Sequence, residues 1–373
     1  MTQVFVVNSG SSSIKYQLVD LETEQAVVSG LIERIGEPGE VPDHLAGMRQ
    51  VLDALGPGRE IAAVGHRVVH GGPRFSSATL VTDEVEAQIE ELSALAPLHN
   101  PANVLGIRAA RESLPGVPHV AVFDTAFHST LPPAAYTYAI DAELAQRHQV
   151  RRYGFHGTSH QYVSRRAARF LGRPLESLKT IVLHLGNGAS VTAVDGGRSV
   201  DTSMGLTPLE GLVMGTRSGD IDAGVVFHLA REAGLSIDEL DVLLNRRSGL
   251  LGLTGTGDMR DVTDAAARGD AAAVAALEVW RHRIRHYIGA YTAGLGGLDA
   301  LVFTAGIGEN NASLRRLALS GLWFLGVEVD DERNELPSRA ERFISPEGTP
   351  VAVLVIPTNE ELEIARQAAA LVA

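Results

Sequence analysis

The sequence contains no cysteine and almost no lysine. Without cysteine the chain can form no disulfide, no thiolate metal site and no cysteine nucleophile. Of the 32 basic residues only Lys15 and Lys179 are lysines, so arginine occupies almost every position of positive charge. The retention of Lys15 inside a serine-rich turn indicates a role that needs a compact ammonium group, and chance is the alternative interpretation.

Positive charge is in deficit, since the formal net charge of the 373 residues is −13. This balance argues against a general nucleic-acid-binding protein and against a basic membrane-surface protein. The longest apolar runs, such as residues 351–356, are far too short to span a bilayer. No charged-then-apolar leader precedes the first predicted strand. We therefore expect a cytoplasmic protein that has neither a nucleic acid nor a membrane as a partner.

Two segments of the chain, residues 4–20 and 181–195, repeat one pattern. Each has an apolar strand, a tight turn of glycine, asparagine or serine, and a second strand that ends in aspartate. Such a turn exposes several backbone N–H groups at one point, an arrangement that suits phosphate oxygens. Two ordinary β-hairpins are the alternative, because Asn-Gly and Gly-Ser turns are common in hairpins. Two copies that each open a domain-sized segment predict a duplicated domain with a nucleotide held between the halves.

Strands alternate with helices in both halves, which predicts a two-domain α/β protein. Besides the hairpins, strands are predicted at residues 25–33, 61–69, 117–123, 298–304 and 351–356. Helices are predicted at residues 39–55, 84–95, 101–112, 160–171, 235–246 and, without interruption, 265–295, whereas residues 126–138 are predicted to be a loop. We expect an N-terminal domain of residues 1–148, completed by a C-terminal helix at about 361–373, and a nucleotide-binding domain of residues 149–360.

The sequence has no Walker A motif, and no complete G-x-G-x-x-G motif opens a helix, which excludes P-loop NTPases and dinucleotide-binding dehydrogenases. The duplicated hairpin is typical instead of actin, the heat-shock ATPases and the sugar kinases. Within that group the chain resembles the acetate kinase family throughout its length. The resemblance lies in nine blocks in the family's order: residues 8–15, 65–72, 96–101, 123–128, 152–160, 184–188, 214–220, 306–310 and 358–361.

This resemblance implies two duplicated actin-like (ribonuclease H-like) α/β domains with a nucleotide cleft between them. It implies reversible, direct in-line transfer of the γ-phosphoryl group of ATP to acetate, which gives acetyl phosphate and ADP. Acetate and ATP are the implied ligands, Mg²⁺ is the implied cofactor with Mn²⁺ as a candidate substitute, and a homodimer is the implied assembly.

The resemblance also implies roles for individual residues. The expected catalytic residues are Asp124, His156 and Arg217. The expected acetate-binding residues are Arg67, Val69, Leu98, Phe155 and Pro208. The expected nucleotide-binding residues are Lys15, His184, Leu185, Gly186, Asn187, Gly188, Asp258, Met259, Arg260, Gly306, Ile307, Gly308, Glu309 and Asn310. The expected metal ligands are Asn8 and Glu360.

The chemistry of the implied reaction fits these residue types. An acceptor carboxylate with a pKa of about 4–5 is already ionised at pH 7, so no general base is needed. Repulsion between this anion and the polyphosphate is the obstacle, and fixed positive charge with Mg²⁺ would relieve it. We therefore expect Asp124 to orient Arg67 or a metal-bound water rather than to accept a proton.

Several of these residues have plainer interpretations. Arg67 could form a buried structural ion pair, His156 could be a core histidine, and Asp124 could cap a turn. Residues 358–361 also read as a capping box, with Thr358 at the N-cap and Glu361 at the third helical position, which leaves Glu360 for the metal. Residues 255–260 depart slightly from the family pattern, so nucleotide contacts there are the weakest expectation.

Three alternative functions remain open from the sequence. A small apolar pocket discriminates one methylene group by only about 1–3 kcal/mol, so a propionate or butyrate kinase of the same family is one alternative. An actin- or chaperone-like switch ATPase is a second, although 373 residues leave little room for a partner-binding appendage. A sugar kinase of the same architecture is the third, with Asp124 as the base for a neutral hydroxyl group.

Overall fold

The computed structural model describes residues 2–38, 40–56, 59–97 and 99–373. Contacts within the chain divide it into two compact units. The first unit contains the residues up to Ser129 together with Phe155–Tyr162 and Asn359–Ala373. The second unit contains Thr130–Gly154 and Val163–Thr358. Among the described residues, no helix has both the length and the apolar character that crossing a membrane requires.

The first unit is built on one mixed sheet. Its strands are β1 (Gln3–Ser9), β2 (Ile14–Asp20), β3 (Gln25–Ile32), β4 (Ile61–Val68), β5 (Thr79–Leu80) and β6 (His119–Phe123), in the order β3-β2-β1-β4-β6-β5. Strands β1, β4 and β6 are parallel, whereas β2, β3 and β5 pair antiparallel with their neighbours. The β1–β2 hairpin pairs Asn8 with Lys15, so the predicted phosphate turn lies at the end of β1.

The second unit repeats this arrangement. Its strands are β7 (Lys179–Leu185), β8 (Ala189–Asp195), β9 (Arg198–Thr202), β10 (Ala300–Thr304), β11 (Arg342–Phe343) and β12 (Ala352–Val355), in the order β11-β12-β10-β7-β8-β9. Strands β7, β10 and β12 are parallel, and the other three are antiparallel to their neighbours. Read from the opposite edge, this order matches the first sheet strand for strand. The predicted duplication is therefore confirmed.

Helices follow or separate these strands in both units. They are α1 (His44–Leu55), α2 (Asp83–Glu91), α3 (Asn100–Ser113), α4 (Pro133–Tyr136), α5 (Ala142–Arg147), α6 (Gly157–Leu171), α7 (Gly224–Glu232), α8 (Ile237–Arg246), α9 (Gly249–Thr254), α10 (Met259–Ala267), α11 (Ala271–Leu295), α12 (Ala305–Asn310), α13 (Ala312–Leu319), α14 (Asp331–Glu335) and α15 (Glu360–Val372). Short 3₁₀ turns occupy Leu92–Ala94, Ala126–Thr130, Leu175–Ser177 and Trp323–Leu325.

The parallel strands are apolar and buried, as sheets covered by helices require. The C-terminal helix α15 packs on β1, β4 and β6 of the first sheet. The close approach depends on Gly65 in β4, because a Cβ atom there would lie 2.7 Å from Cγ2 of Ile364. The last helix of the chain thus belongs to the first unit.

The predicted helix over residues 265–295 is wrong in one respect, since the structure breaks it into α10 and α11. Gly269 has φ of 85°, and the side chain of Asp270 accepts a hydrogen bond from the Ala273 backbone N–H as a new N-cap. The predicted loop at residues 126–138 contains a 3₁₀ turn and α4. The contacts group residues 130–154 with the second unit, while the proposed domain boundary at 148/149 stays a prediction.

Candidate active site

Charged and polar side chains of the first unit collect where its parallel strands end. Asn8 is near the end of β1, Arg67 is near the end of β4, and Asp124 directly follows β6. The carboxyl ends of parallel strands meet at one edge of a sheet, which is where α/β proteins bind their ligands. Glu360 begins the helix α15 that packs on these same strands.

Arg67 and Asp124 form a bidentate ion pair. Nε of Arg67 donates to Oδ1 of Asp124 at 3.0 Å, and Nη2 donates to Oδ2 at 2.5 Å. Only 2% of the Asp124 side chain is exposed, against 20% of the Arg67 side chain. Burial alone would lower the pKa of Arg67, but Asp124 and, more weakly, Glu360 raise it above its ordinary value. Arg67 is therefore a permanently charged group in a fixed orientation.

Glu360 lies in a cluster of opposite charges. Burial raises the pKa of its carboxyl group and Glu361 adds to that effect, whereas Arg67 and Lys15 oppose it. Lys15 donates to Oε1 of Glu361 in a short ion pair. A carboxylate with a raised pKa gains from any additional cation that approaches it.

The predicted capping box at residues 358–361 is wrong. The N-cap is Asn359, whose side-chain oxygen accepts from the Leu362 backbone N–H at 3.0 Å. The Thr358 backbone N–H donates instead to Oε1 of Glu309. Glu361 forms an ion pair with Lys15, and Glu360 is the first residue of the helix.

Val69 and Phe155 supply buried apolar surface in the first unit, with 8% and 2% exposed. Two asparagines of α3 hold the end of β4: Val69 N–H donates to Oδ1 of Asn103, and Asn100 exchanges two hydrogen bonds with the backbone of His70. Sequence reasoning missed Asn103, which also donates to the Ser9 carbonyl at 2.8 Å. Leu98, predicted to bind acetate, lies outside the described residues.

His156 has an unusual backbone conformation, with φ of 55°. This left-handed region is rare for residues other than glycine and occurs often at functional sites. His156 immediately precedes α6, and its carbonyl accepts from the His160 backbone N–H. The Gly157 N–H donates to the Asp124 carbonyl, which ties this corner to the Arg67–Asp124 pair.

In the second unit, the predicted phosphate turn follows β7. His184 and Leu185 are the last residues of that strand, and Gly186 N–H donates to the Gly188 carbonyl at 3.1 Å to close the turn. The Asn187 carbonyl accepts from Gly215 N–H. The structure thus brings the turn against residues 214–216, a proximity that sequence spacing could not reveal.

The next strand end, after β10, forms the short helix α12. Ala305 has φ of 65°, and its N–H donates to Oε1 of Glu309 at 2.7 Å. The same oxygen accepts from Thr358 N–H at 3.0 Å, so this carboxylate stabilises two backbone segments. Buried Arg315 donates to the carbonyls of Gly308 and Glu309. Glu309 is therefore engaged by protein backbone, while Gly306 and Ile307 face a cavity.

That cavity measures about 710 Å³ and lies entirely within the second unit. This size falls within the range typical of small-molecule sites. Its walls contain these predicted nucleotide-binding residues: Gly186, Asn187, Asp258, Met259, Arg260, Gly306, Ile307 and Asn310. His184, Leu185, Gly188, Gly308 and Glu309 belong to the adjoining elements and are not among the lining residues.

The cavity also has apolar walls that the sequence did not suggest. They include Val213, Met214, Leu250 and Trp280. Trp280 is 2% exposed and lies in the middle of α11. Its position four residues after Ala276 resembles that of any buried helix residue, so no sequence signal could have distinguished it.

Asp258 and Arg260 form the exposed rim of the cavity. Asp258 is the N-cap of α10 and pairs with the Arg260 guanidinium, with Nη2 to Oδ2 at 2.6 Å. Hydrogen bonds from the side chain and then the backbone of Arg260 lower the pKa of Asp258 to about 2. In this structure the pair mainly serves to cap the N-terminus of α10.

Arg217 is half-buried in a loop of the second unit. Nη1 donates to the Pro208 carbonyl at 3.2 Å and approaches Sδ of Met214 at 3.7 Å. In the described part of the chain it has no carboxylate within ion-pair distance, and burial lowers its pKa. A guanidinium without an anionic partner is available to an anionic ligand. Pro208, predicted to contact acetate, contributes its carbonyl here.

Comparisons with known proteins agree on one family. The model of the acetokinase family matches residues 3–366. An acetate kinase of Clavibacter michiganensis subsp. michiganensis is 65% identical, over 99% of this chain and 99% of its own. The crystal structure of Porphyromonas gingivalis acetate kinase has a TM-score of 0.96 at 41% identity and covers 100% of both chains. That of a propionate kinase from Francisella tularensis has a TM-score of 0.92 at 44% identity, over 98% and 99%. The predicted α/β architecture is thus confirmed over both units.

Proposed function

Because the chain belongs to the acetokinase family, whose members transfer phosphate to a carboxylate, we propose that it moves the γ-phosphoryl group of ATP reversibly to acetate. The products are acetyl phosphate and ADP, formed by direct in-line transfer. Acetate is preferred to propionate as the acceptor because relatives that are 63–65% identical over 99% of this chain are named acetate kinases. A structural neighbour named propionate kinase keeps the longer acid as the alternative.

The observation that carries the proposal is the orientation of Arg67. Asp124 occupies its Nε and one N–H of Nη2, which leaves Nη1 and the second N–H of Nη2 for another anion. A carboxylate fits that edge as a planar bidentate partner. Val69 and Phe155 supply apolar surface in the same unit for a short alkyl group. Asp124 is the orienting group in this proposal, because each of its carboxylate oxygens accepts a hydrogen bond from Arg67.

We assign the nucleotide to the cavity of the second unit. The Gly186–Gly188 turn and the start of α12 offer backbone N–H groups for phosphate oxygens. Met214, Leu250 and Trp280 offer apolar surface for a base. Lys15 and Glu309 take indirect roles here, because each is already paired within the protein.

The residues present fit a magnesium ion. Glu360 supplies a carboxylate whose raised pKa favours an added cation, and Asn8 supplies an amide oxygen. Mg²⁺ in kinases usually takes one or two protein oxygens and completes its shell with water and phosphate. Bound there, the ion would neutralise phosphate charge, and Mn²⁺ shares the same oxygen preference.

In the proposed mechanism the protein positions groups and neutralises charge. Arg67 holds the ionised acceptor, so no proton has to be removed. Arg217 and His156 stabilise the charge on the transferring phosphoryl group, a role that needs cations or N–H donors without competing anions. The unpaired state of Arg217 in the described residues meets that requirement.

Assembly as a homodimer and a cytoplasmic location complete the proposal. The second unit exposes large apolar side chains in and beside α7 and α8, including Phe227 at 58% and Ile237 at 72%. Exposed apolar patches of this kind often mark subunit contacts. Light scattering of the wild type and of Phe227→Glu tests this: a dimer that the substitution weakens supports it, and a wild-type monomer contradicts it.

The test of the activity is to trap acyl phosphate as hydroxamate. Purified protein receives Mg-ATP with acetate, propionate or butyrate in parallel, and reactions without acid or without Mg²⁺ are the controls. The greatest signal with acetate supports the proposal. The greatest signal with a longer acid moves the preference to that acid and retains the chemistry. ATP hydrolysis without any acyl phosphate contradicts the proposal and favours a switch ATPase.

The nucleotide site has its own readout, because the chain contains only two tryptophans. Trp323→Phe removes the exposed one and leaves Trp280 in the cavity wall. Saturable change of the remaining fluorescence on titration with ADP supports the assignment. A signal that ADP leaves unchanged, in a variant with normal activity, contradicts it.

A further inference from the structure

The loop that carries Arg217 is closed by a carboxylate for which the proposed function has no use. Oδ1 of Asp220 accepts from Gly211 N–H at 2.8 Å, and Asp220 N–H donates to the Gly211 carbonyl at 2.9 Å. These reciprocal bonds join the two ends of the segment 211–220. Arg217 lies within that closed segment.

The other oxygen of Asp220 anchors the loop to the long helix α11. Oδ2 accepts from the Tyr287 hydroxyl at 2.8 Å and pairs with Nη1 of Arg283 at 3.3 Å. Tyr287 and Arg283 are one helical turn apart, so both reach the same oxygen from one face. Burial, and next the charge of Asp220, raise the pKa of Tyr287, which keeps its hydroxyl a donor at neutral pH.

The backbone inside the loop has little freedom. Gly219 has φ of 70°, and a Cβ atom there would lie 2.4 Å from the Leu212 carbonyl oxygen. Met214 N–H donates to the Arg217 carbonyl, and Ser218 N–H donates to the Leu244 carbonyl. The backbone of Arg217 is thus held on both sides, while among the described residues its guanidinium has only the Pro208 carbonyl and the Met214 sulfur as polar contacts.

We infer that Asp220 is a positioning residue for Arg217: by closing segment 211–220 and joining it to Tyr287 and Arg283 of α11, it holds the guanidinium where the phosphoryl group passes. The inference rests on the role of Arg217 in the proposed function. A group that stabilises a transition state loses most of its effect when it is displaced by about 1 Å. The carboxylate suits this task because one side chain can accept from backbone, hydroxyl and guanidinium donors together.

The test compares Asp220→Ala, Asp220→Asn and Tyr287→Phe by steady-state kinetics and thermal unfolding. We expect Asp220→Ala to lower kcat by about 10- to 100-fold, with the KM values for ATP and acetate within about threefold of wild type. Asp220→Asn, which keeps an acceptor oxygen for Gly211, should restore kcat to within about fivefold. Tyr287→Phe, which removes one donor and no charge, should lower kcat by about two- to fivefold.

Asp299→Ala is the matched control. Asp299 also accepts from a backbone N–H, that of Lys179 at 2.9 Å, and pairs with an arginine, Arg173 at 2.9 Å. It lies in the same unit, before the start of β10 and thus at the opposite end of that strand from α12. It should lower the unfolding temperature without lowering kcat. An equal loss of kcat in both variants would show a structural effect and overturn the inference.

A double-mutant cycle with Arg217→Ala separates positioning from stability. In that background Asp220→Ala should cause no further loss of kcat, because the group that Asp220 positions is already absent. If the double variant instead loses kcat by the product of the two single-variant factors, the inference is overturned. Should Asp220→Ala fail to fold, the cycle is run with Asp220→Asn and Tyr287→Phe, and the same two results decide it.

The outcomes also separate this inference from the proposed function. No acyl phosphate from the wild type overturns the function, and the inference with it. A near-normal kcat in Arg217→Ala overturns the inference while leaving the activity in place. A strong loss in Arg217→Ala with normal activity in Asp220→Ala and Tyr287→Phe overturns the inference alone.

Discussion

The two sheets have the same strand order, yet their strand ends carry different side chains. In the first sheet, the ends of β4 and β6 carry Arg67 and Asp124, an arginine and a carboxylate locked together. In the second sheet, β10 is the strand equivalent to β4, and it leads into helix α12, whose Gly306 and Ile307 border a cavity with apolar walls. Equivalent strand ends therefore carry different residues in the two copies, and in the proposed function this suits the first to an anionic acceptor and the second to a nucleotide.

The same contrast holds for charge. In the first unit, Lys15 pairs with Glu361 and Arg67 pairs with Asp124. Arg217 in the second unit has no such partner among the described residues, and burial lowers its pKa. The two copies of the fold therefore differ in whether the cations of the candidate site are paired with carboxylates. Variants in the two units should accordingly affect different kinetic parameters.

The largest effect is expected from Arg217→Ala. Loss of a donor to the transferring group should lower kcat about 100- to 1,000-fold, while KM for ATP changes little. The unfolding temperature should not fall, because the substitution removes a half-buried cation that has no carboxylate partner among the described residues. Steady-state kinetics and calorimetry measure both. A variant with nearly normal kcat would remove Arg217 from the mechanism.

Arg67→Ala should act on the acceptor. KM for acetate should rise on the order of 10- to 100-fold, since a hydrogen bond to a charged group contributes about 1.5–3 kcal/mol. KM for ATP should rise less. Asp124 then remains buried without its cation, so the unfolding temperature should fall, unlike that of Arg217→Ala. A larger rise in KM for ATP than for acetate would contradict the assignment of the acceptor to the first unit and the nucleotide to the second.

Gly215→Ala should act on the nucleotide. A Cβ atom at this position would lie 2.2 Å from Oδ1 of Asn187 in the cavity wall. Overpacking of about 1–3 kcal/mol should raise KM for ATP about 10-fold and leave KM for acetate unchanged. Gly294→Ala is the matched control, because a Cβ atom there meets no heavy atom within 4 Å. Equal KM for ATP in the two variants would contradict the cavity assignment.

The smallest effect concerns pH and the first sheet. Nε2 of His66 in β4 lies 2.9 Å from Nδ1 of His119 in β6. Burial lowers the pKa of both histidines. The charges of His119 and Arg111 also lower the pKa of His66, and the charge of Arg111 also lowers the pKa of His119. Both histidines therefore gain their protons at a lower pH in the folded chain than in the unfolded chain. As the pH falls below the ordinary pKa of 6.5, the unfolded chain gains these protons first, so this contribution to stability should be complete above pH 6.5 and decline below it.

Thermal unfolding between pH 7.5 and 5.5 measures this decline. Linkage sets the upper limit at about 1.4 kcal/mol per pH unit for each histidine. In His66→Gln the free energy of unfolding should depend less steeply on pH than in the wild type. His148→Gln, which replaces an exposed histidine, should keep the wild-type dependence. An unchanged slope in His66→Gln would show that other groups cause the acid sensitivity.

Much of the fold and part of the candidate site could be predicted from the sequence. The two hairpins and the apolar strands were visible because period and composition are local properties. The break between α10 and α11 was not, since alanine-rich sequence on both sides of Gly269 continues the helical pattern. The short edge strands β5 and β11 were missed because two residues carry no periodicity.

Within the site, the residue types were predictable and their partners were not. Arg67 and Asp124 stand 57 positions apart, and only the parallel pairing of β4 with β6 brings them together. The predicted capping box of α15 required the Thr358 backbone N–H as a donor to Glu361. That N–H donates instead to Glu309, which is 49 positions away in the chain. Long-range hydrogen bonds of this kind override local signals because a backbone donor satisfied elsewhere cannot serve a local motif.

By itself the sequence determined the duplication, the absence of thiol chemistry and the family to which the chain belongs, since each depends on residue identity and order alone. The tertiary structure decided which charges are paired and which are available. Asp124 neutralises Arg67, and Glu361 neutralises Lys15. Asp220 closes the loop of Arg217, whose guanidinium has no anionic partner in the part of the chain that the structure describes. Pairing depends on distances of about 3 Å between residues far apart in the chain, and only the folded sheets and helices set those distances.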